Sequence, residues 1–295
     1  MKNYFSSPFK LGILGGGQLG KMMLYDTRKY DIQTYVLDPS PEAPSRIACD
    51  YFEQGSLLDY DTVLAFGRKV DVLTFEIELV NVDALETLEK EGVIVYPSAD
   101  TLRKIQDKGI QKQFYADQNI PTASFKRYAT ASDLLKDAPT YPFVWKSCTG
   151  GYDGKGVAVI RTAQDIEKLP EIPCIAEAMI PFKNELAVIV ARNPSGDVTT
   201  YPVVEMEFHP EANQVEYVIC PARIDEQVAQ KARAIAENVS NAFEHVGLLA
   251  VEMFQTEDDD ILVNEVAPRP HNSGHYSIEG SYTNQFEQHI RAILD

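Results

Sequence analysis

Leu11-Gly-Ile-Leu-Gly-Gly-Gly-Gln-Leu-Gly20 is an apolar run that ends in glycines and passes into helical spacing. It reads as a strand over Leu11–Leu14, a turn at Gly15–Gly17 and a helix from about Gln18 to Lys29. Gly15-Gly-Gly17-Gln-Leu-Gly20 matches G-x-G-x-x-G, and Asp38 stands 18 residues beyond Gly20 at the end of a second strand, Thr34–Asp38. That is close to a dinucleotide fingerprint, with helix amides for an anion and an acid for a ribose. Three readings stay open: a nicotinamide site, a phosphate site for another ligand, and a tight turn that merely requires glycine. Working outward, Asp71–Glu76 is a third strand, Val82–Glu91 a helix, and Val93–Tyr96 a fourth strand before Pro97. Val-, Ile- and Leu-rich strands alternating with helices predict a parallel sheet with helical crossovers. Thr101–Gln118 reads as one long helix.

The 295 residues are enough for about two domains. The net charge of −17 repels phosphate backbones and anionic lipid, so nucleic-acid and membrane-surface roles are excluded. Four scattered cysteines without a Cys-x-x-Cys, no long apolar run and no h-region at the start point to a soluble cytoplasmic protein.

Beyond residue 100 the pattern changes. Phe143–Lys146, Val157–Ile160, Ala187–Val190, Tyr201–Glu205 and Val215–Ile219 read as strands joined by hairpin-like turns, and Glu226–Val246 as a long helix. This second part is α+β with much antiparallel sheet. Lys146-Ser-Cys-Thr-Gly-Gly-Tyr-Asp-Gly-Lys-Gly156 lies between two strands, so it is not a Walker A loop; it is a mobile hairpin whose amides can close over phosphates. Lys146 ends an apolar strand, where an unpaired ammonium is poorly solvated and a bound polyphosphate would resolve the cost. A plain exposed hairpin is the other reading.

Glu252 and Glu265 are placed symmetrically about the acidic turn Glu257–Asp260, which predicts direct cross-strand neighbours. Val263, Glu265 and Ala267 are then expected to share one face, with Asn264 on the other unless a bulge turns it. Two like charges on an apolar face call for a divalent cation, and hard oxygen ligands beside phosphates suit Mg²⁺. A solvent-facing pair is the alternative. Ala267-Pro-Arg-Pro-His-Asn-Ser-Gly-His275 then brings a dense set of donors suited to a small oxyanion, although His plus two carboxylates could also hold a transition metal. His209, His245 and His289 read as structural.

The glycine hairpin with Lys146, the acids Glu177 and Glu185, and Glu252 with Asn264-Glu265 resemble the ATP-grasp superfamily. The three long motifs together are similar to its N5-carboxyaminoimidazole ribonucleotide synthase family, from Lys10 to the last residues. The resemblance implies a Rossmann-like parallel-sheet substrate domain over 1–103 and an ATP-grasp domain over 104–295, with a small mobile lid over about 122–182. It implies carboxylation of aminoimidazole ribonucleotide, with ATP and Mg²⁺, bicarbonate as co-substrate, carboxyphosphate as intermediate, and a homodimer. The family carries a further small C-terminal domain, and this chain stops at Asp295, before it.

By the same resemblance, Lys108, Lys146, Gly151, Lys155, Glu177, the backbone of Ala178, Met179 and Ile180, Glu185 and Asn264 would hold ATP. Lys108 stands where the family usually has arginine, keeping the charge without the bidentate fork. Glu252 and Glu265 would hold Mg²⁺. Gly17, Gln18, Leu19, Glu76, Tyr152 and Ser273 would line the nucleotide substrate, with Asp153 on its amine. Arg269, His271 and Asn272 would hold bicarbonate and carboxyphosphate. Leu79 departs from the asparagine often found after the family's Glu-x-Glu. The alternatives are another ATP-grasp ligase, such as a formate-dependent glycinamide ribonucleotide transformylase, a nicotinamide dehydrogenase, and a non-catalytic nucleotide-binding form.

Overall fold

Apolar strands spaced by crossovers long enough for a helix can lie parallel only in a sheet covered on both faces. The computed structural model, which describes residues 8–151, 156–208 and 215–294, has this arrangement at its N-terminal end. Strands β1 (Lys10–Leu14), β2 (Gln33–Asp38), β3 (Tyr51–Gln54), β4 (Val72–Phe75) and β5 (Ile94–Val95) form a parallel sheet in the order β3-β2-β1-β4-β5. Helices α1 (Gln18–Thr27), α2 (Tyr60–Gly67) and α3 (Val82–Lys90) connect them. The edge strand β3 and helix α2 escaped the sequence pattern: β3 is half-exposed and carries no apolar run.

The long helix expected over 101–118 is two helices, α4 (Ala99–Gln106) and α5 (Lys108–Asp117). Asp107 breaks it. Its backbone is extended (φ −113°, ψ 109°), and its carboxylate accepts the Gly109 and Ile110 amides at 2.8 and 2.9 Å. It therefore acts as an N-cap, satisfying donors that the start of a helix leaves orphaned. The break puts Lys108 at a helix start, where its amide donates to the Cys148 carbonyl at 2.7 Å.

Next comes a four-stranded antiparallel sheet, order β6-β9-β7-β8, built from β6 (Phe125–Tyr128), β7 (Phe143–Ser147), β8 (Val157–Ile160) and β9 (Cys174–Ala178). The short helices α6 (Ala131–Lys136) and α7 (Ala163–Ile166) cover it, around a small core with Leu134, Phe143, Trp145 and Ile166. The glycine hairpin joins β7 to β8; Tyr152, Asp153 and Lys155 lie outside the described residues, as does His209.

The third sheet is antiparallel: β10 (Phe182–Arg192), β11 (Val198–Thr200), β12 (Val204–Phe208), β13 (Val215–Ile219), β14 (Gly247–Thr256) and β15 (Ile261–Ala267). Its order is β13-β12-β10-β14-β15, with β11 also on β10. The strand expected from Tyr201 begins only at Val204, since Pro202 has no N–H for a ladder. Helix α8 (Glu226–Ala242) lays Val228, Ala232, Ala236 and Val239 on this sheet, at the spacing of one helical face. After the short α9 (Ser277–Gly280), helix α10 (Gln285–Leu294) packs Phe286, Ile290, Ile293 and Leu294 against Leu11, Ile13 and Val72 of the parallel sheet. On α10, the buried His289 accepts the Leu248 amide at Nδ1 (3.1 Å), so its Nε2–H faces the Thr74 hydroxyl (2.9 Å). His245 bonds the Leu248 carbonyl at 2.8 Å. Both histidines are structural, as read from sequence.

Candidate active site

The first glycine loop is already filled by the protein's own acids. The Glu76 carboxylate, at the end of β4, accepts the Gly17 and Gly20 amides at 2.8 and 3.2 Å, and Asp38 accepts the Gly16 amide at 2.7 Å. Gly15 has φ +95°, and a Cβ on Gly17 would lie 2.9 Å from Glu76 Oε1, so these positions require glycine. The dinucleotide and phosphate readings are thereby corrected: the α1 amides hold a carboxylate, and Asp38 caps a backbone amide where a ribose was expected. Burial pushes Glu76 above the usual carboxylate range, against the pull of those two amides. Gln18 is exposed, and Leu19 is half-buried, packing on the apolar cluster beneath α1.

Glu252 and Glu265 are direct cross-strand partners, as their spacing predicts. A β-bulge follows, because the register slips by one between Glu252 and Met253, leaving Asn264 as the extra residue. The expectation that Val263 shares the face of Glu265 and Ala267 is corrected by it: Val263 and Val266 both enter the core under α8. Asn264 turns toward Lys146 instead, accepting its ammonium at 2.8 Å. Lys146 also pairs with Glu177 at 3.0 Å, so the ammonium read as unsupported already has partners. Glu177 in turn meets Lys112 at 3.2 Å.

Around the pair the electrostatics are uneven. Lys108 forms an ion pair with Glu265 and holds that carboxyl low. Burial, then the neighbouring Glu265 and Glu185, push Glu252 well up. Burial also pushes Glu185 up to about 7. His271 is pulled down to about 3 by burial and then by Arg269, so it is neutral at pH 7. Its Nδ1 accepts from the Ser273 amide (3.3 Å) and contacts the Ser273 hydroxyl (3.0 Å), which assigns the proton to Nε2, 3.4 Å from Glu252 Oε1. Ser273, expected to touch substrate, is fully buried and serves His271. Asn272 is exposed.

Arg269 Nε lies 2.8 Å from Glu78 Oε1, joining the loop after β15 to the loop after β4. Gln106 fixes that second loop through the Glu78 and Val80 carbonyls, at 2.6 and 2.9 Å. Gln285 clamps the His271 backbone from both sides, its Oε1 accepting the amide (2.9 Å) and its Nε2 donating to the carbonyl (2.8 Å). Gln106, Lys112 and Gln285 carry no local sequence signal, since each acts on a distant partner.

A cavity of about 460 Å³ opens between the parallel sheet and the antiparallel unit. Its walls include Glu78, Leu79, Lys108, Gly151, Glu252, Glu265, Arg269 and His271. The size suits a small-molecule ligand. Lys146 and Glu177 are buried, and Glu185 is half-buried; all three stand outside that wall, while Ala178 and Met179 are exposed at the end of β9. Two oxygen donors side by side on the cavity wall, one of them neutralised by a lysine, fit a hard cation completed by ligand oxygens. Among the described residues no group of three or more His, Cys, Asp or Glu is placed to hold a metal. Nor is any described helix long and apolar enough to cross a membrane.

A ribonucleotide synthetase preATP-grasp domain matches residues 9–106, and an ATP-grasp domain matches residues 113–286. The chain is 41% identical to the phosphoribosylaminoimidazole carboxylase of Candida glabrata, over 97% of this chain and 51% of that protein. It therefore spans about half the length of the first curated relatives it matches. It is 36% identical to the N5-carboxyaminoimidazole ribonucleotide synthase of Bacillus subtilis, over 96% of this chain and 75% of that protein. The Aspergillus clavatus N5-carboxyaminoimidazole synthase, solved with ADP and 5-aminoimidazole ribonucleotide, superposes with a TM-score of 0.90 at 37% identity, covering 99% and 78% of the two chains.

Proposed function

Because the chain belongs to the N5-carboxyaminoimidazole ribonucleotide synthase family of ATP-grasp proteins, we propose that it carboxylates 5-aminoimidazole ribonucleotide with ATP and bicarbonate. One observation carries the reading: Glu252, Glu265, Lys108, His271 and Arg269 converge on a single cavity between the two α/β units. Phosphoryl transfer asks for that combination, cationic groups and metal-binding carboxylates around a water-poor cleft.

In this account a bicarbonate oxygen attacks the γ-phosphorus and ADP leaves. The exocyclic amine then attacks the carboxyl carbon of carboxyphosphate and inorganic phosphate leaves. Arg269 and the Nε2–H of His271 hold the anion, with Asn272 at the rim. Lys108 and Lys146 face the phosphates, Glu185 takes the ribose, and the backbone from Ala178 to Ile180 reads adenine. Glu252 and Glu265 would hold Mg²⁺, which when bound neutralises charge on the phosphates. Glu76, Gly17 and Gln18 bound the aminoimidazole ribonucleotide site, and Asp153, outside the described residues, accepts the amine proton. The enzyme acts in purine biosynthesis, as a cytoplasmic homodimer.

The test is ADP release by the purified chain. Release that requires both bicarbonate and aminoimidazole ribonucleotide supports the reading; release that requires formate, or no release, overturns it.

A further inference from the structure

Beneath the cavity lies a buried charge cluster that the reaction scheme does not use in full. Lys112 (2% exposed) from α5, Glu177 (4%) from β9 and Lys146 (7%) from β7 share one carboxylate between two ammonium groups. Thr122 Oγ1 accepts from Lys112 at 2.6 Å and donates to the Val263 carbonyl at 2.6 Å, tying Lys112 to the strand that carries Asn264 and Glu265. Lys112 also stands 5.9 Å from the Tyr115 ring on its own helix. No second acid pairs with Lys112 among the ion pairs of the described residues.

A buried charge is expensive unless it is matched, and in direct pairing within these three residues one positive charge is left over. Burial pulls Lys112 down to about 8 and Lys146 adds to that pull, against the support of Glu177 and, more weakly, Glu265. It is therefore still protonated at neutral pH. Without Lys112, Glu177 would belong to Lys146 alone, and the pair would be neutral. With Lys112 present, Glu177 is divided and Lys146 keeps positive potential.

We propose that Lys112 is a positioning residue, which takes up part of Glu177 so that Lys146 holds uncompensated positive charge for the nucleotide phosphates. This rests on the nucleotide reading of the cavity above. The ligand class is a nucleoside di- or triphosphate, whose anionic groups supply the missing negative charge.

Calorimetric titration of MgADP into the full chain tests it. Lys112→Met should weaken ADP binding about tenfold, the size expected for one unit charge roughly 10 Å away at an effective dielectric constant of about 20. Lys112→Arg should keep the parent affinity. Lys112→Met with Glu177→Gln restores one unmatched charge on Lys146 and should bind ADP more tightly than Lys112→Met alone. A merely structural lysine predicts the opposite, a double variant worse than either single one. Should Lys112→Met fail to fold, Lys112→Gln, which keeps a donor for Thr122, carries the same expectation. Unchanged affinity in the single variant, or no recovery in the double, overturns the proposal. Failure of the parent chain to bind ADP overturns the nucleotide reading and the proposal with it.

Discussion

Asn264 reaches Lys146, at 2.8 Å, only because it is the extra residue of the bulge between Glu252 and Met253. In an unbroken strand its side chain would point into the core beneath α8. The bulge lets two consecutive residues, Asn264 and Glu265, both serve the site: one braces a lysine and the other pairs with Lys108. Replacing Asn264 with Ala removes an acceptor from a buried ammonium. Stability measured by urea titration should fall by about 1.5–3 kcal/mol, the range for a hydrogen bond to a charged group. ADP release should fall with it.

Asp107 is the second device of this kind. Its carboxylate caps α5 and so fixes where Lys108 begins. Asp107→Ala should cost about 1 kcal/mol of stability as a lost N-cap, while Asp107→Asn, which keeps an acceptor, should cost a few tenths. Turnover should follow the same order, measured at saturating ATP.

Gln285 holds the His271 backbone by both its amide and its carbonyl. Gln285→Ala orphans two partly buried groups and should destabilise the protein by about 2–4 kcal/mol. If His271 holds the oxyanion, the KM for bicarbonate should rise in this variant more than the KM for ATP. Equal changes in both would remove His271 from that role.

Two buried structural histidines each contribute to the acid limb of stability. Burial pulls His245 and His289 from 6.5 to about 3. The unfolded chain therefore binds protons below pH 6.5 that the folded chain refuses. The contribution of the two is full above pH 6.5 and declines as pH falls toward about 3, at up to about 1.4 kcal/mol per pH unit for each histidine. The difference in stability between the parent and His245→Gln, from urea titrations between pH 7.5 and 5, should change with this slope for one histidine.

Much of this site was legible in the chain because its signals are local. The parallel sheet follows from apolar strands punctuated by glycine, and the partnership of Glu252 with Glu265 follows from their symmetry about one turn. Other features depend on residues far apart in sequence. Gly15–Gly20 looks the same whether a nucleotide or Glu76 supplies the anion, and only the folded position of β4 decides. Lys146 looked unsupported because Glu177 and Asn264 come from other strands. The break before Lys108 did have a local signal, Asp107 followed by Gly109, which the continuous apolar period of residues 101–118 overrode. The bulge at Asn264 has none, since it arises from how Val263 and Val266 both find the core.

The most direct measurement follows oxygen from bicarbonate. If a bicarbonate oxygen attacks the γ-phosphorus, ¹⁸O-labelled bicarbonate must deliver one labelled oxygen into the inorganic phosphate released with ATP and aminoimidazole ribonucleotide present. One ¹⁸O per phosphate is expected, with the label lost in Glu265→Gln together with turnover. Unlabelled phosphate from an actively turning-over chain would contradict it.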